Sequence, residues 1–387
     1  MCNLPPPYGG AEVFAKHLVL QLHSASASVA VVTHRSFEIE QAGRVLQYCH
    51  KVSDHADLTD RGIAVHPLFR TALRSNPQSA TLALRALLLE AIAAERAEAV
   101  HCHFTIGCAE AVVDACELAD VPLVMTLHGM TNLVPVQGSF VCGPLTADRI
   151  IALLNRCTRI VVVSDEMLDY CRRNGVQRLR RIPAGIDMQS YSSANSKERR
   201  DVLYVGKLNR IKGLAQTVTA FVRIADQITA RLRLVGRGID SEGFADTGFF
   251  LEPAILEQAR GLISEGRIQL FGELAPDRLR LFYASCRALA LPSMTEGCPL
   301  VALEAVASGM VVVASRVGSL PEIICSEGLG YLVAPNDVEA LSRALLRSLG
   351  ENGGESYAAR RRVVERYDIS GIAQSYHDLF HELCPRA

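Results

Sequence analysis

Two stretches in the second half of the chain combine residue types that can hold an anionic, hydroxyl-rich ligand. The first reads Val205-Gly206-Lys207-Leu208-Asn209-Arg210-Ile211-Lys212-Gly213. Gly206 ends an apolar run and lets a ligand approach the backbone. Lys207 and Lys212 fall on the loop and the start of the next helix, where ammonium groups and helix N-terminal N–H groups favour a diphosphate. The plain alternative is a βα turn with two solvated lysines. Against it, the chain has only five lysines (16, 51, 197, 207 and 212) among 40 basic residues, and two of them fall here.

The second stretch reads Leu291-Pro292-Ser293-Met294-Thr295-Glu296-Gly297-Cys298-Pro299-Leu300-Val301-Ala302-Leu303-Glu304. An apolar run gives way to a Gly turn, and Pro299 suits the first turn of a helix. The new helix start offers N–H groups to an anion. Carboxylates at Glu296 and Glu304 can accept hydrogen bonds from sugar and ribose hydroxyls flanking a bound diphosphate. An acid at a helix start is also the plain reading of Glu296, and a solvent-facing position that of Glu304. Yet Glu304 stands in Val-Ala-Leu-Glu-Ala-Val-Ala, where a carboxylate is costly without a partner.

Short β-branched runs alternate with amphipathic stretches along the whole chain. Residues 29–33, 100–104, 123–127 and 159–163 read as buried strands, with helices over 11–22, 80–97 and 110–119. A polar, turn-rich linker spans 188–200. The alternation then resumes, with strands at 202–205, 231–235, 268–271, 288–291 and 311–314. The pattern predicts an α/β protein with two doubly wound domains, 1–187 and 201–366, and ligands at the carboxyl ends of the strands in an interdomain cleft. A last amphipathic stretch, 369–383 within a tail of 367–387, is expected to pack back on the N-terminal domain. The start departs from this scheme. Only a few residues precede Pro5-Pro6-Pro7, and prolines cannot donate to a sheet ladder, so the first strand is expected to be missing ahead of Gly9-Gly10.

Length, 387 residues, fits two domains, and 49% hydrophobic against 21% charged residues excludes a disordered chain. A net charge of -1 argues against nucleic acid as a partner. No run reaches the ~18 apolar residues of a membrane span, and the N-terminus lacks a signal peptide's basic and apolar stretches. A cytoplasmic location, or one at the inner face of the membrane, is therefore expected. Arg70, Arg74 and Arg85 leave peripheral membrane contact open, a solvated helix face being the plainer explanation. The 12 cysteines are scattered without a C-x-x-C pair or metal-ligand spacing, so they read as reduced core residues, and neither metal nor cofactor is expected.

The spacing G-K-L-x-x-x-K-G followed by E-G-x-P-x-x-x-x-E resembles the donor-binding signature of glycosyltransferase family 4, the retaining GT-B enzymes. Gly9-Gly10-Ala11-Glu12 is similar to the family's N-terminal glycine loop, Thr126-Leu127-His128-Gly129 to its strand-end histidine motif, and residues 182–187 to its interdomain I-P-x-G-I-D. The two C-terminal motifs, correctly ordered on strand–loop–helix units, are specific together. The resemblance implies GT-B architecture, two Rossmann-like domains facing a central cleft. It implies that Gly9, Gly10, Gly206, Lys207, Lys212, Gly297, Cys298, Pro299, Leu300 and Glu304 bind an NDP-sugar donor, with Glu304 on the ribose. His128, Glu296 and Lys212 would then act in catalysis, Glu296 and His128 facing the transferred sugar. Lys207 stands where family members commonly carry Arg, so it supplies charge without the bidentate fork. Gly236 and Gly238 resemble a further family loop, Arg237 receives no role, and residues 240–250 read as an insertion.

The expected reaction is transfer of a hexosyl group from an NDP-sugar, with UDP the expected base, to an acceptor hydroxyl in a lipid-linked glycan, polysaccharide or natural product, with anomeric retention. Two alternatives stay open. A GT-B nucleotide-sugar epimerase would isomerise a UDP-sugar without an acceptor. A degenerate sugar-nucleotide-binding module would bind UDP and transfer nothing.

Overall fold

The structure, a computed structural model, describes residues 10–25, 27–34, 36–41, 44–49, 56–68, 77–103, 109–130, 133, 146–191, 199–207, 210–236, 251–326, 328–350 and 357–385. The chain forms two compact units, residues 1–184 with 369–387 and residues 185–368. Gly9, the proline run ahead of it, Arg70, Arg74, Arg237, Gly238 and the 240–250 segment lie outside the described residues.

The strands of unit 1 are β1 (Ala30–His34), β2 (Ser36–Gln41), β3 (Arg44–Cys49), β4 (Ala64–Leu68), β5 (Val100–His103), β6 (Leu123–Leu127), β7 (Arg159–Val162) and β8 (Leu179–Arg181). Strands β5 to β8 form a parallel sheet in chain order, and β1 pairs in parallel with β4. All five residues of β6 are buried, as the uninterrupted run Leu-Val-Met-Thr-Leu requires of a parallel strand covered on both faces. Crossover helices carry their own start signals. Thr146 accepts from the Arg149 amide and Ser164 from the Met167 amide, at 3.4 and 3.2 Å. The antiparallel hairpin β2–β3 and the short strand β8 were not expected. Leu-Arg-Arg has no apolar run, and its pairing comes from the neighbouring strand β7.

The helix Ile369–Leu383 belongs to unit 1 and packs against the helix Gly10–Ser24. It is tied to the sheet by Arg159, whose Nη2 lies 2.6 Å from Glu382 Oε1, and by the buried Tyr376. Arg85 is 3.8 Å from Asp114 on the helix Ala109–Leu118, so it meets a partner within the fold. Among the described residues no helix is long and apolar enough to cross a membrane.

Unit 2 holds β9 (Asp201–Val205), β10 (Leu232–Val235), β11 (Ile268–Leu270), β12 (Cys286–Leu291), β13 (Val311–Ser315) and β14 (Gly330–Val333). They form one parallel sheet in the order β11-β10-β9-β12-β13-β14. This is the 3-2-1-4-5-6 order of a doubly wound sheet, whose direction of winding reverses between its first and fourth strands. Val202, Tyr204, Leu232, Leu234, Ala290 and Val313 join the helix residues Leu214, Val218 and Phe221 in one core. The chain enters and leaves this unit side by side, Ile186 bridging Asp368 and the Met188 amide donating to the Asp368 carboxylate. Cys102, Cys116, Cys157 and Cys286 are free and buried, as their apolar settings imply, and burial pushes the thiols of Cys116, Cys157 and Cys286 up to about 12.

Candidate active site

Strands β9 and β12 are the neighbours at which the winding of unit 2 reverses, and the loops leaving their carboxyl ends lie where doubly wound sheets hold their ligands. Those loops carry the two chemistry-bearing stretches. Gly206 closes β9, its amide donating to the Val235 carbonyl at 3.0 Å, and the Tyr204 hydroxyl donates to the Lys207 carbonyl at 3.1 Å. Lys207 is exposed. Lys212 ends a single 3-10 turn, Arg210–Lys212, and does not begin the helix as the sequence implied. That helix, Leu214–Ile224, starts after Gly213, which adopts φ 71°. A methyl group at Gly213 would lie 2.1 Å from the Pro292 carbonyl oxygen, so glycine lets the two loops touch. The Met294 amide donates to the Ile211 carbonyl at 2.8 Å and fastens them.

This contact brings Lys212 onto Glu296. The ammonium nitrogen lies 2.6 Å from Oε1 and 2.7 Å from Oε2, and the buried Ser293 hydroxyl donates to Oε1 at 2.7 Å. The Glu296 side chain is 6% exposed and that of Lys212 31%, so a carboxylate is held under a cation that still reaches solvent. A plain helix-start acid would have been exposed. Gly297 is buried, and its carbonyl accepts from the Ser319 amide at 2.8 Å. Cys298 is a buried free thiol. Pro299 is the N-cap itself, one position earlier than expected, and the helix runs Leu300–Ala307 with Leu300 buried. The cap makes no side-chain hydrogen bond; the Ala302 amide donates to the Pro299 carbonyl at 3.1 Å, which leaves the Leu300 and Val301 amides to solvent or an anion.

Glu304 lies in that helix and is not a solvent-facing residue. Its Oε2 accepts from the Tyr283 hydroxyl at 2.6 Å, and the Tyr191 hydroxyl bonds the same carboxylate. Burial raises the Glu304 pKa above the usual carboxylate range, while the two hydroxyls oppose that rise. Tyr283 is fully buried and packs edge-on against Tyr191 with ring centroids 6.0 Å apart.

In unit 1, Gly10 is the exposed first residue of the helix Gly10–Ser24. His128 follows directly on β6, and its Nε2 is 2.7 Å from Nδ1 of His103. The two rings are stacked with centroids 5.0 Å apart, and Phe14 meets both edge-on. Burial lowers the pKa of His128 to about 4, so the ring is neutral at neutral pH. Sequence reading missed His101, His103, Ser293, Tyr191 and Tyr283. The histidines did leave a signal, since Val-His-Cys-His sets two imidazoles two apart on one face of β5.

Comparison with known proteins places the chain in a family. Residues 8–190 match the model of Glycosyltransferase Family 4, and residues 199–351 match that of Glycosyl transferases group 1. The chain belongs to glycosyltransferase family 4. It is similar to alpha-maltose-1-phosphate synthase of Mycobacterium tuberculosis, 28% identical over 346 residues, 81% of this chain and 87% of that one. It is also similar to MMP alpha-(1->4)-mannosyltransferase of Mycolicibacterium hassiacum, 29% identical over 212 residues, which are 51% of this chain and 46% of the relative. Among solved structures, Anabaena HepE in complex with UDP-glucose shares the fold at TM-score 0.73 and 19% identity, over 98% of both chains. The protein is thus a GT-B glycosyltransferase of two Rossmann-like units, in the hexosyltransferase class.

Proposed function

We propose that this glycosyltransferase moves a hexosyl group from a UDP-sugar to an acceptor hydroxyl with retention of anomeric configuration, in polysaccharide, glycolipid or natural-product glycan synthesis. The observation that carries the reading is the Lys212–Glu296 pair, closed across two loops at the reversal point of the unit 2 sheet. The UDP-glucose in the structurally similar HepE supports the choice of donor. The relatives' sugar-transferring names support the class of reaction.

In this reading Lys207, Lys212 and the amides at Leu300 meet the diphosphate, and Glu304 accepts from the ribose hydroxyls. An arriving diphosphate draws part of the Lys212 ammonium away from Glu296, which then accepts hydrogen bonds from the transferred sugar, as does His128. The bond from the anomeric carbon to the diphosphate oxygen breaks, and the acceptor oxygen bonds that carbon on the same face. The departing oxygen takes the acceptor's proton. Negative charge grows on the diphosphate, where fixed ammonium groups and helix amides stabilise it more in the transition state than in the ground state. No metal is required, because the protein's own groups carry that charge.

A screen of UDP-sugars for nucleotide release, with and without candidate acceptors, tests the proposal. Lys212→Ala is expected to lower turnover about 100-fold or more, the scale of losing a transition-state charge contact. Undiminished turnover in the purified variant would refute it.

A further inference from the structure

The three histidines at the carboxyl ends of β5 and β6 have a structure beyond what the proposed reaction needs from His128 alone. Register decides their meeting. His103 pairs with Thr126 across the parallel strands, which sets His101 and His103 beside Thr126 and His128. His101 Nε2 lies 2.8 Å from Thr126 Oγ1, which in turn is 3.0 Å from the Tyr376 hydroxyl on the helix Ile369–Leu383. The His101 and His103 rings pack at a tilt of 40° with centroids 4.3 Å apart, and Phe14 closes the cluster against both His103 and Tyr376. His103 is 8% exposed, while His128 keeps part of its surface in solvent. No group of residues here could hold a metal among those described.

An imidazole that serves a ligand with one nitrogen takes its tautomer from whatever the other nitrogen touches. For His128 that other nitrogen is Nε2, and its partner is His103 Nδ1 at 2.7 Å. Nδ1 of His128 has no hydrogen-bond partner among the described residues. We infer that His103 is a positioning residue: its Nδ1 holds His128 Nε2, fixing the ring in one orientation and one tautomer and leaving Nδ1 as the atom that meets a ligand hydroxyl. The inference rests on the placing of His128 at the sugar in the proposed function. Burial keeps both rings uncharged, so a single proton lies between them and neither ring repels the other. The tilted ring of His101, itself anchored through Thr126 to Tyr376, packs against His103 and hinders its turning away. The last helix of the chain thus supports Thr126 on β6 through Tyr376, 250 positions away.

The test uses the full-length protein with its histidines labelled with nitrogen-15. Long-range proton–nitrogen spectra report each ring's tautomer without any ligand. In the unmodified protein His128, assigned by its loss in His128→Asn, is expected to show one protonated and one bare nitrogen. His103→Leu is expected to bring both nitrogens to averaged positions and to lower kcat for nucleotide release about 10-fold to 100-fold, by analogy with the loss of a hydrogen-bond partner that orients a metal-bound imidazole, with KM little changed. His103→Asn, whose side chain offers a polar atom near the place of Nδ1, is expected to restore both the spectrum and most of kcat. If His103→Leu fails to fold, the Asn variant decides: a single tautomer supports the inference and an averaged one overturns it. An unchanged His128 spectrum in a folded His103→Leu protein also overturns it. If the spectrum shifts as expected while His128→Asn turns over donor normally, His103 still positions the ring, and it is the placing of His128 at the sugar that fails.

Discussion

Replacing Lys212 by methionine removes the cation from a carboxylate that has little other support. The Glu296 side chain is 6% exposed and keeps only the Ser293 hydroxyl, at 2.7 Å, among the contacts described above. Stripping one partner from a fully buried ion pair costs about 3–5 kcal/mol, because the remaining charge stays desolvated. Here the Lys212 side is 31% exposed, so water can enter where the ammonium stood. A loss of about 2 kcal/mol is therefore expected for Lys212→Met, with about 1 kcal/mol for Glu296→Gln, whose lysine can turn to solvent. The double variant should lose clearly less than the two combined, giving a coupling of about 1–2 kcal/mol, well above the ~0.3–0.5 kcal/mol scatter of independent sites. With no tryptophan in the chain, unfolding is best followed by circular dichroism in urea and by calorimetry, which also separates the two units if they melt apart. Titration with UDP should show Lys212→Met binding at least 10-fold more weakly, since the same ammonium is assigned to the diphosphate. A coupling indistinguishable from zero, or UDP affinity equal to that of the unmodified protein, would refute the argument.

Gly213→Ala forces an L-residue to φ 71° and sets a methyl group 2.1 Å from the Pro292 oxygen. It should cost at least about 1–2 kcal/mol for the left-handed backbone alone, and should part the loops that join Lys212 to Glu296, with a matching fall in nucleotide release. Tyr283→Phe removes a hydroxyl donating to Glu304 and should raise that carboxyl's proton affinity further. The cost in urea unfolding should be about 1.5–3 kcal/mol at pH 7 and should shrink as falling pH protonates Glu304, which then needs the donor less. The histidine cluster makes unit 1 sensitive to acid. His128 has its folded pKa depressed from 6.5 to about 4, so the unfolded chain binds the proton first and stability is lost as pH falls through that interval. At about 1.4 kcal/mol per tenfold change in proton affinity, the loss from this ring is on the order of 3 kcal/mol. Protection of the β5 and β6 amides against hydrogen exchange, taken relative to the slower intrinsic exchange at lower pH, should fall between pH 7 and pH 5, and protection that stays constant over that range would count against the buried neutral cluster.

Much of this protein could be read before any coordinates. The runs that became β6, β9, β12 and β13 are largely apolar because a parallel strand is covered on both faces, and burial of that kind leaves a mark in composition. Lys212 and Glu296 were legible as a pair of motifs because each stands at a fixed offset from a strand end and a glycine. Their ion pair was not legible, since 84 residues separate them and only the sheet order places their loops together. The same holds for Glu304, whose expense in an apolar helix was visible while its tyrosine partners were not. Tyr283 reaches it from a helix 21 residues away, and Tyr191 from the segment that enters unit 2. Composition and spacing by themselves determined the tandem α/β plan and the residue types able to bind a diphosphate sugar. The tertiary structure decided which of those residues share charge and hydrogen bonds: His103 with His128, Lys212 with Glu296, Tyr283 with Glu304. The reason is physical. Periodicity records how a residue is buried against its own element, but contact across strands is set by register and strand order, which no local stretch of chain contains.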